Sequence, residues 1–504
     1  MHKKTTVALA GKLASVGVDI FERLLIIPIF ISAVGSELYA DWAVLYAFSM
    51  MFGVLDLGLV QYFSNLLLDK SKRGSRAEYW ETLARARKIY GFLFVFNIAA
   101  VLLVCYFGAG NVLRANSLTA GAASWIFAYL AIAVAANIPR SLLLDNYRVA
   151  GDYEKVVVSV TILKVVRLSF LVVSVGYYRS LELAAFSYTF ITVAVGIIGI
   201  TIMQRSARYP AIFRSPRFSG SQVIYREDVI KSFSFFVRQC GRLGSQQLPL
   251  VILGLFGVGS IVLVQFIVVR ALTGVVRQLI TQLSDAIGMG VSEAWYTGDR
   301  GSIGSTVKRS CEILSCISGG LLMVLTLYVP DILSLWLEKD ASVDYVLFAI
   351  LSSAVMLSVP SLPCLSVLHF TNHSEVLAKI FSVKILVLLS TLPLFVFLFS
   401  SRGAAASVLL VEGVLGSYYI IKSACKIIDL NSVDIMKSAA IYMILGAAVI
   451  IMGNFVVDEL PVGGSRLFMS AWLIVRFAVL AAVLASAVLL IAKLNPNFRR
   501  SGAS

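Results

Sequence analysis

Long apolar runs, separated by short polar clusters, recur along the whole 504-residue chain. A bilayer's hydrocarbon core is about 30 Å thick, and a helix of about 20 apolar residues crosses it. The runs predict helices over 7–34, 39–68, 87–108, 119–143, 156–177, 182–204, 230–256, 260–292, 310–330, 342–370, 376–400, 403–425, 436–457 and 468–492. Strands of a membrane barrel would alternate in segments of about ten residues, and these runs are longer and more uniform. An open sheet edge would leave backbone groups unpaired in lipid. The expected fold is therefore all-α, a polytopic transmembrane bundle of about fourteen helices.

Composition agrees. The chain is 59% hydrophobic and 14% charged, against about 25% charged residues in soluble domains. The net charge of +15 would suggest nucleic acid in a soluble protein. Here it is spread over short loops and several helices, so no nucleic-acid partner is expected. Cys105, Cys240, Cys311, Cys316, Cys364 and Cys425 show no metal or disulfide spacing. His2, His369 and His373 form no ligand set, so neither a metal nor another cofactor is expected. The N-terminus superficially resembles a signal peptide, but Lys12, Asp19, Glu22 and Arg23 interrupt its apolar run. It reads as a retained first helix.

The loops carry a second signal. With both termini cytoplasmic, the inward-facing segments hold 28 of the 43 lysines and arginines and the outward-facing ones hold 5. Membrane proteins concentrate Lys and Arg on the cytoplasmic side, and one missed helix would scramble the split. The longest loop, 205–229, is basic and divides the chain into an N-terminal lobe, 1–204, a C-terminal lobe, 230–425, and two further helices, 436–492. Outer loops are too short for an extracytoplasmic catalytic domain, and no catalytic residues are expected.

The other ten basic residues lie inside the helices: Lys12, Arg23, Lys164, Arg167, Arg238, Arg242, Arg270, Arg277, Lys384 and Arg476. Six acids accompany them: Asp19, Glu22, Asp56, Asp285, Glu293 and Glu412. A charge at the centre of a lipid-facing helix costs about 2.5–3.5 kcal/mol. Ten exposed cations would then cost about 25–35 kcal/mol, more than the whole stability of an ordinary fold. Most must face a wet cavity or pair with one another.

Helical spacing favours a cavity. Lys12, Asp19 and Arg23 share about 40° of arc on the first helix. Arg238 and Arg242 are i,i+4, and such like charges repel unless an anion sits opposite. Arg270 and Arg277 are i,i+7, with Thr281 and Asp285 nearby. Lys12, Arg238 and Arg476 can also snorkel to an interface, and Asp19 with Arg23 can be a structural pair. Pro28 and Pro249, each a few residues after an arginine, mark candidate hinges.

The run from Pro28 to Ala40 (PIFISAVGSELYA), followed by Leu55-Asp56-Leu57-Gly58-Leu59, resembles the opening of the Wzx-type flippases of the multidrug/oligosaccharidyl-lipid/polysaccharide exporter superfamily. Ala40 stands where that family usually has glycine. The run beginning at Asp285 (DAIGMG) resembles the corresponding part of the second half. The resemblance implies two six-helix lobes around a central cavity lined by the first, second, seventh and eighth helices, with two extra helices following. It also implies a substrate, an oligosaccharide on undecaprenyl pyrophosphate, flipped outward across the bacterial inner membrane for O-antigen, capsule or exopolysaccharide synthesis. A glycan polymerase and chain-length proteins are the expected partners.

Joined to the charge pattern, this makes Arg23, Arg238, Arg242, Arg270 and Arg277 the candidate substrate-binding cations. Asp19, Asp56 and Asp285 are candidates for ion coupling or for pairing with arginines. The alternatives are a lipid II flippase and a multidrug-type cation-coupled exporter, for which an acidic interior is expected. A membrane glycan polymerase or ligase would need a sizeable outer loop.

Overall fold

The computed structural model describes residues 2–108, 113, 117–205, 225–297, 300–337, 344–371, 373–457 and six positions between 476 and 486. The described residues are almost entirely helical. The final apolar run, 468–492, and most of the basic loop fall largely outside them.

The helices are α1 (His2–Val34), α2 (Ser36–Met51), α3 (Leu59–Arg73), α4 (Arg76–Tyr106), α5 (Ala120–Val149), α6 (Tyr153–Gly176) and α7 (Leu181–Arg205). Then come α8 (Arg226–Leu255), α9 (Ser260–Thr297), α10 (Arg300–Leu337), α11 (Tyr345–Ser358) and α12 (Ser361–Phe370). Next are α13 (Ser374–Val408), a π-helical stretch (Leu409–Gly416), α14 (Ser417–Ile427) and α15 (Ser432–Val457).

Local chemistry sets several ends. Ser75 caps α4 by accepting the Glu78 N–H at 3.2 Å, and Thr119 caps α5 through the Ala122 N–H at 3.3 Å. The Asp344 carboxylate takes the first N–H groups of α11, from Val346 and Leu347, at 3.1 Å each. Such caps satisfy donors that a helix start leaves open. Pro28 and Pro249 lie inside continuous helices. A 47° bend separates α11 from α12 at Pro360. Ser400, at φ 52°, breaks the run that includes α13.

Nine helices among the described residues are long and apolar enough to cross a membrane, and the bent α11–α12 pair makes a tenth candidate. α1 is not among them, since Asp19, Glu22 and Arg23 crowd its apolar end. Apolar side chains cover the outer faces: Phe92 is 63% exposed on α4 and Phe397 is 75% exposed on α13. Water would not tolerate such surfaces over whole helices, so lipid is the solvent. The chain is a multi-pass membrane protein.

Two compact units divide the chain, one of residues 1–267 and 389–401 and the other of 268–388 and 402–504. In the first, α1 packs on α6, α5 on α4 and α7, and α8 on α2 and α3. Its core includes Phe63, Leu67, Leu83, Tyr90, Leu93 and Leu143. In the second, α10 packs on α15, α11 on the π-helical stretch and α12 on α14. Two glycines permit the α10–α15 crossing. A Cβ on Gly319 would lie 2.2 Å from the Met443 carbonyl oxygen, and one on Gly446 would lie 2.0 Å from that of Cys316. Small residues at helix crossings are how membrane helices gain contact where lipid competes for every apolar surface.

Candidate functional site

In the first unit, α1 and α6 exchange charges. Lys164 on α6 holds Asp19 on α1 at 2.6 Å and donates to Ser15 Oγ at 3.0 Å. Arg167, one turn later, lies 4.0 Å from Glu22 and 4.1 Å over the Tyr188 ring. Asp19 is thus taken by Lys164 rather than by Arg23, its neighbour one turn on. Two acids of α1 meet two bases of α6 here. Asp19 is in contact with Lys164, and Arg23 is exposed.

Asp56 has a different task. Its Oδ1 accepts the Gly58 N–H at 2.8 Å, closing a turn in which Leu57 (φ 54°) and Gly58 (φ 70°) are left-handed. Left-handed backbone suits glycine, which has no Cβ to clash. A Cβ at Gly58 would also sit 2.4 Å from the Phe236 nitrogen and 2.6 Å from the Ser232 carbonyl oxygen, so α8 lies directly on this turn. Gln239 of α8 donates to the Gly53 carbonyl at 2.6 Å and reaches Asp56 Oδ2 at 3.4 Å. Next to Gln239, α8 carries Arg238, half-buried over the Phe235 ring at 5.4 Å, and about one turn later exposed Arg242. Asp56 lies within electrostatic reach of Arg242. The turn therefore fixes the segment of α8 that carries both arginines.

In the second unit, α9 presents Arg270 and Arg277, both partly exposed. Arg277 donates through Nη2 to Glu412 Oε2 at 2.8 Å. The other oxygen of the same carboxylate, Oε1, is 2.7 Å from Lys384 Nζ. Two cations on one anion leave this triad at +1. Asp285, two turns beyond Arg277, accepts from Ser366 of α12 at 3.4 Å.

The arginines expected to bind substrate thus divide between the units, Arg23, Arg238 and Arg242 in the first and Arg270 and Arg277 in the second. Sequence spacing brings Arg238 and Arg242 together correctly. It gives no sign that Lys384 and Glu412 join Arg277, since these residues lie more than 100 positions away along the chain. It also misses a group between α3, α4 and α8, where Asp228 accepts from Tyr62 at 3.0 Å and pairs with Arg85. Arg85 and Asp228 read as loop charges in sequence, and the packing of α8 buries Asp228. Among the described residues no group of His, Cys, Asp or Glu is arranged to hold a metal.

No known family profile and no curated protein sequence matches the chain. Solved structures do. The lipid II flippase MurJ in an inward closed conformation aligns with a TM-score of 0.69 at 11% identity, over 97% of this chain and 99% of MurJ. An inward-facing multidrug resistance MATE family transporter of the MOP superfamily aligns at 0.65 and 12% identity, covering 81% of this chain and 94% of that one. A MOP superfamily transporter from Pyrococcus furiosus, described as having a binding pocket of reverse polarity, aligns at 0.61 and 13% identity, over 84% and 96%. At such identities the likeness is one of fold, and the chain has the fold of these MOP superfamily transporters.

Proposed function

We propose that this protein is a flippase that moves an oligosaccharide linked to undecaprenyl pyrophosphate from the inner to the outer leaflet of a bacterial inner membrane. The observation that carries the reading is the Arg277–Lys384–Glu412 group, two cations on one acid, together with the arginines of α8, within a transporter fold. The acids of α1 are already matched by Lys164 and Arg167. The Arg277–Lys384–Glu412 group sets two cations against one carboxylate, and an anion would complement it together with Arg242, exposed on α8. A pyrophosphate supplies one, and guanidinium groups bind phosphate oxygens through paired, charge-assisted hydrogen bonds.

In this reading the lobes 1–204 and 230–425 rock to give alternating access, the basic loop 205–229 joins them, and both termini are cytoplasmic. The polyprenyl tail stays in lipid while the headgroup crosses. The protein acts without a catalytic centre or cofactor, beside a glycan polymerase and chain-length proteins. Lipid II is a second candidate cargo, favoured by the near full-length alignment with MurJ. A cation exporter is disfavoured, because a cationic drug would meet repulsion at these arginines.

Deleting the gene tests the reading. Lipid-linked oligosaccharide should accumulate on the cytoplasmic leaflet and surface glycan should disappear. Normal surface glycan would refute it, and rescue of a MurJ-depleted strain would transfer the claim to lipid II. Arg277→Ala at normal protein levels should lower translocation at least about tenfold, the scale of one charge-assisted hydrogen bond. Full translocation would remove Arg277 from the mechanism.

A further inference from the structure

The second unit contains a buried ion arrangement that a static scaffold does not require. Glu412 is 8% exposed and Lys384 4% exposed, whereas Arg277, the third member, is 37% exposed. The carboxylate divides its oxygens, Oε1 to Lys384 and Oε2 to Arg277. One cation is therefore sealed in with the acid while the other stands at the surface. We propose that Glu412 is an internal competitor of the substrate's anionic group. It holds Arg277 when the site is empty and yields it when a phosphate-type oxyanion arrives, while Lys384 keeps the released carboxylate paired. The proposal rests on the flippase reading above and names the residue that sets how tightly the headgroup is held.

The physical case has three parts. First, an unpaired carboxylate at this depth would be strongly destabilising. With Lys384 on Oε1, losing Arg277 leaves a neutral buried pair rather than a bare anion. Second, Arg277 has five N–H donors, and the described contact to Glu412 uses Nη2. The guanidinium can turn to an oxyanion without leaving its helix. Third, the backbone beneath Glu412 is π-helical from Leu409 to Gly416. Such turns are rare and concentrate at functional sites. This one ends at Gly416, whose missing Cβ lets the Lys384 stem lie close: a Cβ there would be 3.3 Å from Lys384 Cδ and Cε. The lysine's approach to Glu412 is thus built into the helix surface. Its ammonium also lies 4.8 Å from the centre of the Phe381 ring, a further cation contact that holds it in place.

Competition of this kind serves a transporter, which must release what it binds. Every headgroup that enters must displace Glu412, and Glu412 waits to recapture Arg277 when the headgroup leaves.

The test uses the full-length protein in lipid nanodiscs and two probes, farnesyl pyrophosphate and inorganic pyrophosphate, which separate a lipid-borne headgroup from the free anion. Glu412→Gln keeps volume and removes the competing charge. It should bind farnesyl pyrophosphate at least about tenfold tighter than the wild type. Glu412→Asp keeps the charge and should stay within about threefold of wild type. Lys384→Met removes the cation that keeps the released carboxylate paired and should weaken binding about tenfold. Tighter binding of inorganic pyrophosphate alone would assign the site to a free anion and overturn the link to the carrier lipid. If wild type binds farnesyl pyrophosphate and Glu412→Gln binds no tighter, the competitor role is wrong while the flippase reading stands. If neither protein binds either probe, both fall. Should Glu412→Gln not fold, the weakening by Lys384→Met decides, and unchanged affinity there overturns the proposal.

Discussion

Replacing Gly58 by alanine should loosen the seat of α8, and its cost can be worked from two terms. Gly58 has φ 70°, and an L-residue in left-handed backbone costs about 1–2 kcal/mol. The new Cβ would approach the Phe236 nitrogen at 2.4 Å and the Ser232 carbonyl oxygen at 2.6 Å. Both are backbone atoms of α8, so the helix itself must move, and overpacking of this kind costs about 1–3 kcal/mol. The sum is about 2–5 kcal/mol. Two neighbours in the same segment provide controls. At Gly53 an added Cβ would meet Leu243 Cδ1 at 3.5 Å, an ordinary contact, so Gly53→Ala should be near neutral. Leu57 has φ 54° and is exposed, so Leu57→Gly should relieve strain and gain up to about 1 kcal/mol. The assay is thermal unfolding of the detergent-solubilised protein followed by size-exclusion profile, with translocation measured beside it. Gly58→Ala should melt about 2–5 °C below wild type and lose activity, since Gln239 and the arginines beside it shift with α8. Equal melting of Gly58→Ala and Gly53→Ala would refute the argument that α8 sits directly on the turn.

The α10–α15 crossing should fail in a similar way. Gly446→Ala drives a Cβ towards the Cys316 carbonyl oxygen, and it should lower the melting temperature by several degrees while Gly290→Ala, which meets nothing within 4 Å, does not. Asp344 gives a pH dependence. Burial alone would raise its carboxyl, but hydrogen bonds from Arg402 and from the Leu347 and Val346 N–H groups outweigh that and hold it below the ordinary carboxylate range. A lowered folded value means that the stabilisation is complete above the unfolded value, about pH 4, and is lost as pH falls through the folded one. Asp344→Asn should therefore show less acid sensitivity in a melting series from pH 6 to about 3. The loop split of basic residues predicts that a cytoplasm-active reporter functions when fused at either terminus or within 205–229, whereas a periplasm-active reporter functions near Arg179. The opposite pattern would invert the topology.

Much of the architecture was legible from the sequence because lipid is a uniform solvent. A run of apolar residues has one stable outcome in it, a helix, whatever lies elsewhere in the chain. The first apolar runs, such as 7–34 and 119–143, accordingly appear as α1 and α5. Breaks were harder to see. The 39–68 run divides at the Asp56–Gly58 turn, and 342–370 bends at Pro360. In each case a turn residue works with the packing around it, and apolar content reports neither.

The charges mark the boundary between the two kinds of knowledge. That ten basic residues lie within the membrane runs, and that they cannot all face lipid, follows from the sequence and the cost of a bare charge. Their partners do not. Asp19 and Arg23 share a helix face, yet Asp19 is held by Lys164 of α6. Asp56 has the look of a coupling acid and is engaged in closing a turn. Arg277 meets Glu412, 135 residues on, through a π-helical stretch that no periodicity announces. Helical spacing says only which residues share a face. Which faces meet depends on glycine crossings, bends and turns that act over long separations, and an ion pair a few ångströms long exists only after those are settled. The sequence determined that this membrane protein carries excess positive charge within its helices; the tertiary structure decided which acids those charges meet.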